Sequence, residues 1–293
     1  MSFPVFARTI RDRRRFLLWW CLGMGLFVVS QVSFYPSMTR SDALRDYLEQ
    51  APEWMKMFTG GETDIVSPVG YMNSQFFYLM LPLLLFIVAI GLGSDALAGE
   101  EGRGTLDLLL SAPISRARLV LERWAAMNLL LGTIAGAFLA TAMASAAAVN
   151  MGISFQKMAE ATFAAFLLAS LVGTFSMGVG AATGNRGLSI ALGSVLGLAS
   201  YLLDSLGLMV RSLAPWRKAS VYYYYSANNI LAKGLRASHV LVLAGGVALL
   251  LLCTMDSFRG RDVGVKGFLS LPLLRRRKGA SPAPRSSWGT SRG

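Results

Sequence analysis

GEEGRGTLDLLLSAPISRARLVLERW, residues 99–124, is a polar stretch between two long apolar runs, and it holds a dense group of the chain's charges. Over the whole chain only 15% of residues are charged and 54% are hydrophobic, whereas soluble domains carry about 25% charged residues. An apolar run of about 20 residues is enough to cross a bilayer. The sequence therefore predicts an all-α, polytopic membrane protein in which this stretch forms a loop between two spans.

Six apolar runs have the length and flanking residues of transmembrane helices. Pro36 is expected to end the first span. Pro82, inside the second span, is tolerable because a neighbouring helix can satisfy the carbonyl that it frees. Residues 1–265 are expected to form one membrane domain, followed by a basic tail, 266–293, that is disordered at its end. The predicted spans are 16–35, 76–97, 124–149, 161–183, 188–210 and 239–258.

Lysine and arginine fall unevenly on the two sides of the predicted membrane. The N-terminus, residues 99–124, the turn 184–187 and residues 259–293 together carry 19 of them, and the three opposite loops carry 9. The positive-inside rule then places both termini and residues 99–124 in the cytoplasm. Because this charge flanks the spans, the net charge of +12 indicates contact with the lipid bilayer and not with nucleic acid. The 22 arginines against 6 lysines hint at a GC-rich bacterial genome, so we expect a bacterial cell membrane.

Two segments outside the spans have a helical pattern. Phe3, Phe6, Ala7 and Ile10 share one face, which predicts a short helix in the headgroup plane before the first span. The alternative is a basic flank without a fixed helix. Residues 41–58 show a second apolar face and are expected to rest on the outer surface of the membrane.

Within residues 99–124 the sequence predicts a helix, a turn and a second helix. Three glycines, Gly99, Gly102 and Gly104, are expected to break the helix that leaves the membrane. The first new helix is capped by Thr105, ends before Pro113, and carries Leu106, Leu109 and Leu110 on one face. The second is capped by Ser115 and carries Arg116, Arg118, Glu122 and Arg123 into the third span.

The leucine-faced helix is only about seven residues long, which is too short to be stable alone in water. It must therefore dock on something. The membrane surface, or the ends of the protein's own helices, would serve. A groove on a soluble partner would serve as well, and the spacing alone does not choose between them.

Several kinds of active site are excluded by what the chain lacks. It has no G-x-x-x-x-G-K-[ST] stretch for ATP phosphates and no H-E-x-x-H pair. Its two cysteines lie in apolar runs, and its single histidine, His239, sits at a span boundary. We therefore predict no catalytic residue, no metal site and no cofactor. If transport is driven by ATP, hydrolysis must occur on another polypeptide.

Polar and small residues inside the spans allow two interpretations each. Asp204 is either a contact for a cation or substrate in the pathway, or a structural partner of Arg211 or Ser200. We favour the structural pair. Asp95 and Asp256, near helix ends, are expected to be solvated, while Asn128 and Gln31 are expected to join helices by hydrogen bonds. Small residues that would allow close helix packing or dimerisation are Gly132, Gly136, Gly193 and Gly197.

These motifs, in this order, resemble those of permease subunits of ATP-binding-cassette exporters of the type-2 class. Such permeases carry, after the second span, an acidic pair, a GT-L-LLL run, a proline and S-R-x-R-L-V-L. The resemblance covers roughly residues 5–265. Its motifs here are Glu100-Glu101, Gly104-Thr105-Leu106, Leu108–Leu110, Pro113, Ser115–Leu121, Arg8–Arg15, Tyr35-Pro36, Leu81–Leu85 and Phe258–Asp262.

The resemblance implies a six-helix permease whose loop after the second span is a coupling helix, seated in a cleft of a separate ATP-binding subunit that holds ATP and Mg²⁺. It also implies a dimer of two permease subunits, identical or different, and short re-entrant helices before the sixth span, where residues 211–238 lie. The alternative is a self-contained channel or secondary carrier. Secondary carriers usually show internal repeats, and none is visible between spans 1–3 and 4–6.

Overall fold

The computed structural model describes residues 4–39, 59, 66–104, 115–227 and 229–260, and every regular element within these ranges is a helix. Six of the described helices are long and apolar enough to cross a membrane, which confirms the all-α, six-span prediction. In chain order they are α1 (Pro4–Thr39), α2 (Pro68–Gly102), α3 (Arg116–Ala148), α4 (Phe155–Thr183), α5 (Arg186–Met209) and α6 (Ala237–Gly260).

The first helix is continuous from Pro4 to Thr39. The expectation of a separate in-plane helix before the first span is therefore wrong. At 1.5 Å per residue α1 is about 54 Å long, well beyond the roughly 30 Å of the hydrocarbon core. Pro36 does not end it either, because the helix runs three residues further and a proline is tolerated in a packed membrane helix. The predicted surface helix, 41–58, lies outside the described residues.

A proline interrupts the hydrogen bonding of α2, as the sequence suggests. Pro82 has no N–H, so the carbonyl of Tyr78, four residues earlier, lacks its helical partner. The hydroxyl of Tyr222 donates to that carbonyl, and the hydroxyl of Tyr225 donates to the carbonyl of Phe77. Side chains from a neighbouring segment thus satisfy the carbonyls, which confirms the reason for tolerating Pro82.

Two π-helical segments, Asn73–Phe77 and Asp95–Gly99, lie within α2. The second runs through Gly99, so the prediction that this glycine breaks the helix is wrong. The helix continues to Gly102. The chain then turns at Gly104, whose φ of +70° lies in the left-handed region that favours glycine.

The helix boundaries around the short connections agree with the predicted cap at Ser115 and the predicted turn at 184–187. The side-chain oxygen of Ser115 accepts a hydrogen bond from the Arg118 N–H at 3.3 Å, so α3 begins where expected. Gly184, with φ of +64°, ends α4, and the side chain of Asn185 caps α5. Residues 184–187 therefore make the tight turn that the sequence indicates.

Helix α4 lies at the centre of the bundle, in contact with α2, α3, α5 and α6, while α1 packs along α3. Helices α2 and α4 approach each other closely, because a Cβ on Gly93 would collide with the carbonyl oxygen of Gly173. Helices α1 and α6 are peripheral and expose large apolar side chains, as a lipid-facing surface does. Examples on α1 are Leu18, Trp19, Leu22 and Leu26.

Three short helices lie between α5 and α6: the 3₁₀ helix Ala214–Ala219 and the α-helical turns Tyr223–Ser226 and Ile230–Lys233. They occupy the position at which the resemblance implies short re-entrant helices. Two contacts hold this segment on the start of α4. Lys157 donates to the carbonyl of Ala232 at 2.7 Å, and Glu160 accepts from the Leu235 N–H at 2.9 Å.

Candidate functional site

A buried carboxylate gathers three arginines at the end of the bundle where α1 begins and α6 ends, which we call the arginine-rich end. The side chain of Asp95 is only 5% exposed. Arg13 of α1 pairs with it, Arg103 Nη1 lies 3.0 Å from Oδ1, and Arg186 Nε lies 3.6 Å from Oδ1. The prediction that Asp95 is solvated is wrong, because a charge at this depth needs charged partners.

A second carboxylate extends this group of charges. Glu100 Oε1 accepts from Arg103 at 3.3 Å and from Arg123 at 2.9 Å. Arg123 also donates to the hydroxyl of Thr9 in α1, at 3.1 Å. Hydrogen bonding to Asp95 raises the pKa of Arg103. We call the set Arg13, Arg103, Arg123, Arg186, Asp95 and Glu100 the arginine cluster.

Glu122, near the start of α3, anchors the beginning of α1. Its Oε2 accepts hydrogen bonds from the backbone N–H groups of Val5 and Phe6, each at 3.1 Å. The first N–H groups of a helix have no partner within it and carry partial positive charge, so a carboxylate there is stabilising. Arg118 Nε lies 2.9 Å from Oε1 of the same carboxylate. Glu122 therefore fixes α1 to α3.

The predicted coupling helix itself, with Thr105, Leu106, Leu109, Leu110 and Pro113, lies outside the described residues. Both of its flanks are described. On one side, Arg103 joins the arginine cluster. On the other, Arg116 Nη1 donates to the carbonyls of Phe258 and Arg259, at 3.2 and 3.3 Å, where α6 ends. The flanks of residues 105–114 are thus tied to most of the helices of the bundle.

The charged residues predicted for ATPase coupling have structural partners within the subunit. Glu100 and Arg118 form the ion pairs described above, and Arg116 binds the end of α6. Glu101 lies in the last turn of α2 and Gly104 in the turn after it. A contact between any of them and an ATP-binding subunit stays a prediction.

The predicted small-residue positions fall into two groups. Gly193 and Gly197 face the interior, where added Cβ atoms would lie 3.1 Å from Ser176 and from Phe86 respectively. These two glycines therefore serve packing within the chain, and a role in dimerisation stays a prediction. Gly136 is exposed, and a Cβ added there would have nothing within 4 Å. A Cβ added at Gly132 would meet only Phe166 within 4 Å, at 3.7 Å.

Asp204 is fully buried and paired, as the favoured interpretation holds, but its partner is not the predicted one. Arg217, in the 3₁₀ helix, places Nη2 2.9 Å from Oδ1, and the hydroxyl of Ser226 donates to Oδ2. Arg211 is exposed. The carbonyl of Ser200 accepts a hydrogen bond from Ser220 instead. A contact of Asp204 with a transported substrate stays a prediction.

Other polar predictions are mostly confirmed. Asn128 Oδ1 accepts from the hydroxyl of Ser170 on α4 at 2.6 Å, so it joins two helices. Gln31 contributes its backbone carbonyl, which accepts from Tyr71 at 2.6 Å. Asp256 is exposed, as expected.

An apolar groove of about 480 Å³ runs between α2 and α5. No Asp, Glu, Lys, Arg or His is among its lining residues. At the end away from the arginine cluster it meets Tyr201 and Tyr222, whose ring centroids are 5.4 Å apart. Helix α2 contributes Leu79, Leu83, Phe86, Ile87, Ile90 and Gly91, and α5 contributes Ile190, Ser194, Gly197, Leu198 and Tyr201.

Comparison with known families identifies the class of protein. The model of the ABC-2 family transporter protein matches residues 3–219, which is most of the chain and includes α1 to α5. The chain belongs to the ABC-2 transporter family. This confirms the resemblance drawn from the motifs after the second span. No match was found among curated proteins.

The sequence analysis missed the roles of three residues that organise the arginine-rich end: Asp95 was expected to be solvated, and Glu122 and Arg186 were given no partner. Their pairing depends on which helix ends meet, and no local pattern reports that. One signal was available. Asp95 follows Leu83, Ile87 and Gly91 at four-residue spacing, so it continues a face of α2 directed at other helices or lipid, where an isolated carboxylate is costly.

Proposed function

We propose that the chain is the permease subunit of an ABC transporter that exports a substrate across a bacterial cell membrane. ATP and Mg²⁺ are bound, and ATP is hydrolysed, by a separate subunit, and the permease itself has no enzymatic activity. The observation that carries this proposal is membership of the ABC-2 transporter family over residues 3–219. The absence of a phosphate-binding loop from the full sequence supports the assignment of hydrolysis to a partner.

The arrangement at the arginine-rich end supports a mechanical role for residues 105–114. A force on this segment acts on two anchored flanks, Arg103 and Arg116. Arg103 shares the Asp95 carboxylate with α1 and α5, while Arg116 holds the end of α6. Ion pairs and hydrogen bonds of this kind are contiguous, so displacement of the segment by an ATP-binding subunit reaches α1, α5 and α6 together.

Charge supports the orientation of the subunit. The arginine-rich end carries both ends of the described bundle and most of the lysines and arginines among the described residues. In the proposed orientation this end faces the cytoplasm, where the ATP-binding subunit is. The functional unit contains two permease subunits, and residues 266–293 form a basic tail outside the membrane domain.

The test is co-purification of the tagged permease with the ATP-binding subunit encoded by the neighbouring gene. The double variant Leu109→Asp, Leu110→Asp places two charges on the proposed docking face. Loss of one such apolar anchor costs about 2 kcal/mol or more, so we expect the co-purified subunit to fall about ten-fold or more.

Trp216→Asp is the matched control, because Trp216 is an exposed apolar residue, 64% accessible, at the opposite end of the bundle. This variant should retain the ATP-binding subunit. Unchanged co-purification of the double variant, when it runs as a single species in size-exclusion chromatography, would show that residues 105–114 do not form the docking site.

A further inference from the structure

The α2 wall of the groove leads directly to the arginine cluster. Leu83, Ile87 and Gly91 line the groove at four-residue spacing, and such residues share one face of a helix. The next position in the series is Asp95, one turn or about 6 Å further along the axis. The buried carboxylate therefore stands at the end of the apolar face.

The α5 wall of the groove also leads to the arginine cluster. Ile190, Ser194 and Leu198 line the groove, and Arg186 precedes them at the same spacing. Arg186 Nε lies 3.6 Å from Asp95 Oδ1, so the two walls meet in an ion pair. The groove is thus apolar along its length, bounded by tyrosines at one end and by arginines at the other.

The arginine cluster carries more positive than negative charge. Its four arginines face two carboxylates, which leaves an excess of two positive charges. The side chains of Arg103 and Arg186 are 50% and 53% exposed, so an additional anion can reach them. Repulsion between neighbouring cations grows near the low-dielectric membrane, and an anion at the mouth of the groove relieves it.

The dimensions of the groove fit one chain of a lipid. From Leu79 to Gly91 the α2 wall rises about 18 Å, close to the roughly 15 Å of hydrocarbon in one leaflet. Its volume of about 480 Å³ lies in the range of small-molecule sites. Ile87 and Leu198 on its walls are 53% and 59% exposed in the single subunit, so the groove is open along one side.

We propose that this groove binds an anionic phospholipid from the leaflet at the arginine-rich end. One acyl chain lies along the groove toward Tyr201, and the phosphate accepts hydrogen bonds from Arg186 and Arg103. Guanidinium groups bind phosphate oxygens in pairs, which selects a phosphate over a neutral headgroup. This binding does not depend on the partner ATP-binding subunit, so it can hold or fail independently of the proposed function.

The experiment uses the purified full-length chain reconstituted into vesicles of phosphatidylcholine and phosphatidylglycerol in equal amounts. After extraction in mild detergent, native mass spectrometry counts the lipids that remain bound. Phosphatidylglycerol should be enriched on the unmodified protein. Arg186→Gln removes a charge-assisted hydrogen bond and should lower its retention about ten-fold or more. Gly91→Phe fills the groove without changing charge and should lower its retention similarly.

Two controls separate this site from a general surface effect. Arg8→Gln makes the same charge change on an exposed part of α1, where Arg8 faces Asp12 at 3.7 Å. Gly23→Phe adds the same ring where, as at Gly91, an added Cβ has nothing within 4 Å. Both should keep the enrichment. The proposal is overturned if phosphatidylglycerol is not enriched, if Arg8→Gln loses as much as Arg186→Gln, or if Gly91→Phe has no effect.

Discussion

Arg217 reaches from the 3₁₀ helix between α5 and α6 to the fully buried carboxylate of Asp204, with Nε 3.0 Å and Nη2 2.9 Å from Oδ1. The approach requires a glycine, because a Cβ on Gly207 would collide with Cγ of Arg217. The hydroxyl of Ser226 donates a hydrogen bond to the second carboxylate oxygen, Oδ2. The segment before α6 is therefore fastened to α5 by a buried charge pair.

Arg217→Gln should destabilise the protein strongly, because it leaves the Asp204 carboxylate buried without its cation. Removing one partner of a buried pair costs about 3–5 kcal/mol. Thermal unfolding in detergent, followed by intrinsic fluorescence, measures the effect. Arg211→Gln, the exposed arginine that sequence spacing suggested as the partner, is the control and should unfold like the unmodified protein. Equal losses for the two variants would contradict the assigned pair.

Asp95→Asn should loosen the arginine-rich end. The substitution leaves Arg13, Arg103 and Arg186 around a neutral side chain, and their mutual repulsion is no longer offset. We expect a loss of about 3 kcal/mol or more in the free energy of unfolding. Asp256→Asn, an exposed acid at the same end, should change stability by less than about 0.5 kcal/mol. The Asp95 assignment fails if both variants behave alike.

The sequence was sufficient for what depends on local pattern. The six spans follow from apolar length, and the cap at Ser115 follows from residue type next to an apolar run. A protein partner for the carbonyl freed by Pro82 could also be predicted, because the missing N–H frees one known carbonyl and the membrane interior supplies no water to satisfy it.

What the sequence could not supply is the set of pairings between distant helix ends. Asp204 was assigned to Arg211, seven residues away on the same helix face, whereas its partner is Arg217, beyond the end of α5. Helix α5 ends at Met209, and the spacing rule for a continuous helix stops applying there. Asp95 was misjudged for the same reason, since two of its three arginines lie on α1 and α5.

Gly93→Ala should destabilise the contact between α2 and α4. The added methyl collides with the carbonyl oxygen of Gly173, a backbone atom that cannot move aside like a side chain. Overpacking of this kind costs about 1–3 kcal/mol. Gly136→Ala makes the same chemical change at an exposed site with nothing within 4 Å, and should leave unfolding in detergent unchanged or slightly improved. A harmless Gly93→Ala would mean that the two helices are further apart.

The exposure of Gly136 bears on how two permease subunits would meet. If the two subunits meet through a face of small residues, that face lies on α3, because Gly193 and Gly197 on α5 are already covered by Ser176 and Phe86. In a variant lacking Cys21 and Cys253, Gly136→Cys should form an oxidative cross-link in membranes, and Gly193→Cys should not. Cross-linking at position 193 alone would assign the interface to α5.

Tyr222→Phe should cost about 1–3 kcal/mol, because it leaves the Tyr78 carbonyl buried without a hydrogen-bond donor. Pro82→Ala restores the backbone N–H that can reach this carbonyl. In a Pro82→Ala background, Tyr222→Phe should therefore cost less, by about 0.5 kcal/mol or more, and a double-mutant cycle of unfolding free energies measures the difference.

Tyr224→Phe is the control, since its hydroxyl donates to the Lys218 carbonyl on the exposed side of the same segment. Its cost should be small and independent of residue 82. Strict additivity of Pro82→Ala and Tyr222→Phe would show that the hydroxyl does not replace the missing N–H.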